Sequence, residues 1–374
     1  MRPLATRLAL SLFGLVLAGG CGTEGDPILI GLVGPFSQPR GASMQLGAEL
    51  AVAEINEQGG VRGRPLVLLV RDDSAAANVA VRIAQELYDR RGLVAVIGHL
   101  NSSTTIASAP VYNGGSRPVV QVSPSASSPL VTTAGPYTFR VCPSDRVHGV
   151  RLADWAWDQL RARTVSIIYE NDDYGRGVRS AFAEAFQAMG GRILTEDPYT
   201  ASIPTFEPYL RRLVQRGGVD AVMIAGTLEA AERIIATADS LGLDYPVMGA
   251  DGLAGLENMG GAAEGAYVSL AYLPRQEGAA NERFVTAYQE AYGDRLPDHR
   301  GAGAYDIVYL LADAIAAVGT NRERIQLYLS GVGSDNPVFN GVTGPIAFDA
   351  HGDVPDKDVV IGVVRDSRMV PARQ

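Results

Sequence analysis

The sequence predicts an α/β protein of two lobes, each built on a doubly wound parallel sheet. From Ile28 onward, short apolar runs alternate with longer amphipathic segments, a pattern typical of βα units around parallel sheets. A second series of such units begins after Pro143. The chain has 374 residues, 47% of them apolar, which is enough for each lobe to bury a core of its own.

The first series opens with a continuous apolar run at residues 28–33, as expected of a strand that is covered on both faces. Apolar residues then recur at helical spacing from Met44 to Ile55, and Gly59-Gly60 ends this helix. Further strands are predicted at residues 66–70, 94–97 and 119–122, with helices at 75–90 and 104–112.

The second series predicts another lobe of the same kind. Its helices are expected at residues 147–160, 176–189, 206–215 and 230–241, and its strands at 165–169, 193–197, 221–224 and 267–270. Two later helices, near residues 281–292 and 302–318, come too late in the chain for this lobe. We expect them to pack on the first lobe, so that the chain crosses between the lobes more than once.

The composition excludes several functional classes. The formal charge is −9 and no stretch concentrates arginine, so a nucleic-acid partner is not favoured. Lys357 is the only lysine. The chain therefore has no Walker-type phosphate loop, and we expect no interior lysine that could form a Schiff base or assist a serine nucleophile.

The N-terminal segment predicts export. Arg2 and Arg7 precede an apolar run at residues 8–18, which is too short to span a bilayer, so residues 1–20 are interpreted as a signal peptide. Residues 17–21, Leu-Ala-Gly-Gly-Cys, resemble a bacterial lipoprotein box, although its leucine stands one place early. This resemblance implies that Cys21 carries lipid and that residues 21–27 form a tether.

Two alternatives to lipidation remain open, namely ordinary cleavage of the signal peptide and a disulfide between Cys21 and Cys142. Export permits a disulfide but does not require one. If Cys21 carries lipid, Cys142 is expected to be a buried free thiol near a strand end.

Ligands of open α/β sheets bind beyond the carboxyl ends of the strands, so the loops at these ends are the candidate site. After the strand at 94–97, Ser102 and Ser103 open a helix whose free N–H groups and dipole suit a carboxylate. Ordinary helix capping by either serine is the alternative. The loop at 123–129 is rich in hydroxyl groups, and Asp251 follows a strand of the second lobe; either could be a simple turn.

No enzyme signature is present. The chain has no G-x-S-x-G, H-E-x-x-H or C-x-x-C motif, and its four histidines are far apart in sequence. Asp349, His351 and Asp353 alternate in a hydrophilic stretch that is either a solvated turn or a weak metal site. We expect neither an enzyme nor a cofactor or resident metal.

Several segments together resemble the branched-chain (Leu/Ile/Val-type) amino-acid binding proteins of ABC importers. They occur in that family's order along almost the whole chain, at residues 47–66, 96–100, 123–129, 173–177, 251–252 and 339–349. The resemblance implies a type I periplasmic-binding (Venus-flytrap) fold with three crossovers and a hinge that closes on the ligand. It divides the chain into lobe 1 (28–143 plus 273–347) and lobe 2 (144–272 plus 348–374).

The resemblance also implies residue roles. Ser102 and the backbone near Ser103 match carboxylate contacts, and Ala126 and Ser127 match positions that hold the ligand's carboxylate and ammonium. Tyr174 matches a tyrosine of the second lobe at the cleft, and Asp251 matches the acid that pairs with the α-ammonium. The candidate ligand contacts are therefore Ser102, Ser103, Ser125, Ala126, Ser127, Tyr174 and Asp251, together with Arg40 and Thr227 from the side-chain pocket.

Two departures concern that pocket. Arg40 lies near the place of an aromatic residue in the family, and Thr227 stands where branched-chain binders carry a tyrosine. If Arg40 faces the cleft, it favours a more polar or acidic ligand than leucine; otherwise it is a solvated surface arginine. The expected function is a receptor that delivers an amino acid or analogue to ABC permease and ATPase subunits. A sensor for an amide, urea or aromatic acid is the alternative.

Overall fold

The computed structural model describes residues 25–372. The predicted signal peptide and Cys21 lie outside these residues. Cys142 is buried, as predicted, and burial raises the pKa of its thiol to about 12.

The first lobe is built on a five-stranded parallel sheet with the strand order β2-β1-β3-β4-β5. Its strands are β1 (Ile28–Gly34), β2 (Leu66–Asp72), β3 (Leu93–Ile97), β4 (Val120–Ser123) and β5 (Thr138–Arg140). Each of the four strands that the sequence predicts is present. The prediction lacked β5, whose three residues are too few to give a periodic signal.

Six helices accompany this sheet. They are α1 (Pro39–Glu57), α2 (Ala77–Asp89), α3 (Ser102–Asn113), α8 (Ala279–Tyr292), α9 (His299–Val318) and α10 (Arg322–Ser330). The late helices α8 and α9 pack against α1, as the sequence predicts. In α9, Ile307 and Leu311 are fully buried in the same core as Met44 and Ala48 of α1.

The second lobe contains a seven-stranded sheet with the strand order β14-β13-β10-β9-β8-β6-β7. Its strands are β6 (Thr164–Glu170), β7 (Arg192–Tyr199), β8 (Ala221–Ala225), β9 (Val247–Gly249), β10 (Tyr267–Leu270), β13 (Val360–Arg365) and β14 (Arg368–Pro371). Strands β13 and β14 run antiparallel, so this sheet is mixed rather than wholly parallel as predicted. A short hairpin joins β13 to β14, because antiparallel neighbours need no crossover helix between them.

The helices of the second lobe are α4 (Asp145–Asp158), α5 (Asp173–Ala188), α6 (Glu207–Gln215) and α7 (Leu228–Ser240). The chain crosses between the lobes three times: after β5, after β10 and in the segment that leads from α10 to β13. That last segment contains the hairpin of β11 (Phe339–Gly341) and β12 (Gly344–Ile346). The residue boundaries of the lobes given above stay a prediction.

Helix α9 is the one described helix long and apolar enough to cross a membrane, but 67% of its most apolar window is buried. It packs so closely on α1 that a side chain at Gly47 would overlap the carbonyl of Gly301. This close approach explains why both helices carry glycine at the contact.

We predict that Gly47→Ala destabilises the protein by about 1–3 kcal/mol, because its Cβ would force the two helices apart. Urea unfolding followed by circular dichroism measures the effect. Gly261→Ala is the matched control, since a Cβ there would meet nothing within 4 Å. Equal unfolding midpoints for the two variants would show that the α1–α9 contact accommodates the added methyl group.

Candidate functional site

The loops that the sequence identifies lie where the two lobes touch. The backbone N–H of Asp173, at the start of α5, donates to Oγ of Ser103 at the start of α3 (3.2 Å). Arg300, in the first turn of α9, donates from Nη2 to the backbone oxygen of Asp251 (3.3 Å). Each bond joins one lobe to the other, so the lobes are in direct contact across the predicted cleft.

Ser102 ties together two loops of the first lobe. It is the first residue of α3, and its Oγ accepts a hydrogen bond from the backbone N–H of Ser128 (3.1 Å). The N-cap residue of α3 is Asn101, whose side chain makes no capping bond. The capping alternative for Ser102 and Ser103 is therefore wrong, because both hydroxyl groups bond to other segments.

The loop at 123–129 is held by hydrogen bonds within the loop and by hydrogen bonds from the buried Arg140. Oγ of Ser123 accepts from the backbone N–H groups of Ser125 (3.3 Å) and Ala126 (2.9 Å). Arg140, which is fully buried, donates to the carbonyl oxygens of Ala126 (3.3 Å) and Ser127 (2.9 Å). Oγ of Ser127 is buried without a hydrogen-bond partner among the described residues.

Asp251 is the acid at the centre of the site. It starts a short 3₁₀ helix after β9, and only 2% of it is exposed. The Tyr174 hydroxyl donates to its Oδ1 (3.1 Å) and accepts from the backbone N–H of Gly252 (2.8 Å). A side chain at Gly252 would collide with the Tyr174 hydroxyl and with the carbonyl of Gly226. Glycine is therefore required for this approach, and Asp251 is not a simple turn residue.

Two buried histidines, which the sequence analysis did not assign to the site, flank the other carboxylate oxygen of Asp251. Nε2 of His299 lies 3.4 Å from Oδ2, and Nε2 of His148 lies 3.9 Å from it. Neither contact is a hydrogen bond, and Oδ2 has no partner within residues 25–372. His299 also contacts Oγ of Ser125 (3.2 Å). The histidines are distant in sequence, and the fold brings them together.

The charges of this cluster follow from burial and neighbours. Burial would raise the pKa of Asp251, but the side chains of His148, His299 and Arg300 hold it below its usual value. Burial lowers the pKa of His148, and burial with the Arg300 charge lowers that of His299 to about 4. Both imidazoles are therefore neutral at pH 7.

Arg300 forms a salt bridge with an acid other than Asp251. Its Nη1 donates to Oδ2 of Asp298 (2.7 Å), and this guanidinium helps to hold the pKa of Asp298 at about 2 against the effect of burial. Asp145, next to Ser127, is fully buried, and burial raises its pKa well above the usual value, which favours its neutral form. Two carboxylates thus face one guanidinium, and the cluster carries one uncompensated negative charge.

Among the described residues, the side chains of Arg40 and Thr227 make no hydrogen bond to this cluster. Nε of Arg40 donates to Oε1 of Gln38 (2.9 Å), and its charge acts on Glu170 of the opposite lobe. Thr227 is the N-cap residue of α7 and makes no side-chain capping bond. Among the described residues, no hydrogen bond joins either of them to Asp251.

The hydrophilic stretch at residues 349–353, predicted as either a solvated turn or a weak metal site, forms a turn. Oδ1 of Asp349 accepts from the backbone N–H groups of His351 (2.8 Å) and Asp353 (3.0 Å). In the part of the chain that the structure describes, no group of three or more acidic, histidine or cysteine residues is arranged to hold a metal ion.

Comparisons with known proteins agree with this architecture. A family model described as "Periplasmic binding protein" matches residues 27–368. The Leu/Ile/Val-binding protein homolog 1 of Brucella abortus (strain 2308) is 27% identical over 347 residues, which is 90% of each protein. An ABC transporter substrate-binding protein from Desulfitobacterium hafniense, solved in complex with Leu, is 32% identical with a TM-score of 0.79, covering 93% of this chain and 100% of that one.

A second solved structure, a leucine binding protein from Thermotoga maritima, superposes with a TM-score of 0.84 at 26% identity. The match covers 92% of this chain and 98% of that chain. The family model's match to residues 27–368 includes all three crossovers and every residue of the interlobe cluster. The chain therefore belongs to the periplasmic binding protein family and has the type I periplasmic-binding fold.

Proposed function

We propose that this chain is the extracytoplasmic receptor of an ABC importer and binds an amino acid, or a close analogue, between its lobes. The observation that carries the proposal is the buried Asp251, whose Oδ2 lacks a partner in a cluster with one surplus negative charge. An unpaired buried carboxylate is costly, and a ligand cation at this position offsets that cost. An α-ammonium group has the charge and the N–H donors that the position requires.

The opposite end of such a ligand has a counterpart in the first lobe. The first-turn N–H groups of a helix lack partners within the helix and carry its positive dipole end, and α3 presents this end at Ser102 and Ser103. Oγ of Ser127 is a further unpartnered group beside it. A helix N-terminus for the carboxylate and Asp251 for the ammonium together suit a zwitterion.

The relatives support the same reading. The Brucella protein is named for Leu/Ile/Val binding, and the Desulfitobacterium structure is of an ABC transporter substrate-binding protein. By analogy, this chain works outside the cytoplasm and delivers its ligand to permease and ATPase subunits. It acts by binding and hinge closure, not by catalysis. Arg40 and Thr227 make no hydrogen bond to Asp251 among the described residues, so we assign them to the ligand's side chain rather than to its ammonium.

We predict that Asp251→Asn weakens amino-acid binding by about 2–5 kcal/mol, which is roughly thirtyfold or more. Asparagine keeps the shape and can still contact Tyr174, but it removes the charge that pairs with the ammonium. A thermal-shift screen of the twenty amino acids identifies the ligand, and calorimetry then measures its affinity.

Asp244→Asn is the matched control, because Asp244 is an exposed acid of the same lobe. Its affinity should equal that of the wild type. If Asp251→Asn binds the amino acid as tightly as this control does, Asp251 does not pair with the ammonium.

We further propose that Cys21 anchors the receptor to a membrane through lipid. Cys21→Ser should move the protein from the detergent phase to the aqueous phase in a Triton X-114 partition of expressing cells, because the lipid provides the apolar surface. Cys142→Ser is the control and should stay in the detergent phase, since that thiol is buried. Retention of Cys21→Ser in the detergent phase would refute the anchor.

A further inference from the structure

We propose that His148 is a specificity-determining residue that contacts the ligand and selects a primary ammonium group. Its Nε2 and the Oδ2 of Asp251 each accept one N–H from the same ligand nitrogen. A hydroxyl at this position satisfies only one of the two acceptors, and an N-methylated amine, which keeps two N–H groups, cannot satisfy both of them and the unpartnered Oγ of Ser127 as well. The inference rests on the proposed function, because it specifies how the ammonium is recognised.

His148 is held rigidly at this position. It lies one helical turn after Asp145 in α4 and is fully buried. Its Nδ1 is bonded to Oγ of Ser269, on β10, at 2.7 Å. Its Nε2 is buried without a partner among the described residues, as is Oδ2 of Asp251. Two orphan polar atoms of one lobe therefore face each other.

The two atoms do not bond to each other. Their separation of 3.9 Å is beyond hydrogen-bond range, and a neutral imidazole has one donor and one acceptor nitrogen. When the Ser269 hydroxyl takes the Nδ1–H, Nε2 carries a lone pair at 3.9 Å from the carboxylate oxygen. Two acceptors that face each other require a donor between them.

The spacing fits one nitrogen with several N–H groups. An atom about 2.8 Å from both acceptors, which are 3.9 Å apart, sees them at an angle of roughly 90°. Two N–H bonds of a tetrahedral ammonium approach this angle, whereas a hydroxyl has a single hydrogen to donate. The third N–H is left for the first lobe, where Oγ of Ser127 has no partner in residues 25–372.

His299 has a different part in the same site. It reaches Asp251 from the opposite lobe, and its Nε2 already contacts Oγ of Ser125 at 3.2 Å. It therefore positions the carboxylate and the loop of Ser125 relative to each other. His148 is the one of the pair whose free nitrogen faces the carboxylate without another contact.

The test compares the tightest-binding amino acid of the thermal-shift screen with its N-methyl derivative, by calorimetry at pH 7.5. Wild-type protein should prefer the primary amine by about tenfold or more, because the N-methyl group leaves one buried acceptor unsatisfied. In His148→Leu the primary amine should bind about tenfold more weakly, and the preference should fall toward one.

His148→Gln should restore both the affinity and the preference, because its amide oxygen can occupy the place of Nε2. A purely structural role for His148 would lower the affinity for both ligands equally and leave their ratio unchanged. Even if His148→Leu fails to fold, equal wild-type affinities for the two ligands would overturn the inference.

The outcomes separate the two proposals. If no amino acid stabilises or binds the wild type, the proposed function fails, and this inference falls with it. If an amino acid binds and Asp251→Asn abolishes binding, but the ratio is the same in the wild type and in His148→Leu, then only the role of His148 is wrong.

Discussion

Burying the carboxylate of Asp251 between two lobes is the interaction on which the rest of the site depends. An ionised carboxylate loses its hydration on burial, and only charge-assisted partners in fixed positions compensate for this. Tyr174 satisfies one oxygen and is itself held by the backbone of Gly252. Arg300 comes from the other lobe, but its guanidinium forms a salt bridge with Asp298. The second oxygen of Asp251 therefore has no hydrogen-bond partner within residues 25–372, and it is the one that we propose binds the ligand.

The two sheets explain why these groups meet. Parallel strands bring their carboxyl ends to one edge, so the loops after the neighbouring strands β3 and β4 lie side by side. In the other lobe the loops after β6 and β9 follow strands on either side of β8 and meet through the bond from Tyr174 to Asp251. The bond from Ser128 to Ser102 and the buried Arg140 fix the first pair of loops. Because α9 belongs to the first lobe, its first turn carries His299 to the second lobe's acid.

The sequence predicts the parts of the fold whose signal is local. Continuous apolar runs mark β1, β3 and β8, and helical spacing marks α1, since burial on both faces or on one stripe dictates residue type. Strand β13 carries the same kind of apolar run at residues 359–364, but the prediction lacked it; β14 is four residues long and only partly buried, so its signal is weak. The same holds for the site. Asp251 could be predicted because it follows a strand, whereas His148 and His299 come together only in the folded chain.

The proposed function couples closure of the lobes to ligand binding through this one charge. In an open molecule water solvates Asp251, and closing without a ligand would bury a carboxylate with one oxygen unpaired. The bonds from Asp173 to Ser103 and from Arg300 to Asp251 form only when the lobes meet. They favour closure, while desolvation of the surplus charge opposes it. A ligand cation removes the opposing contribution, so its differential affinity for the closed state drives the change. A receptor built in this way signals occupancy to a transporter by its shape.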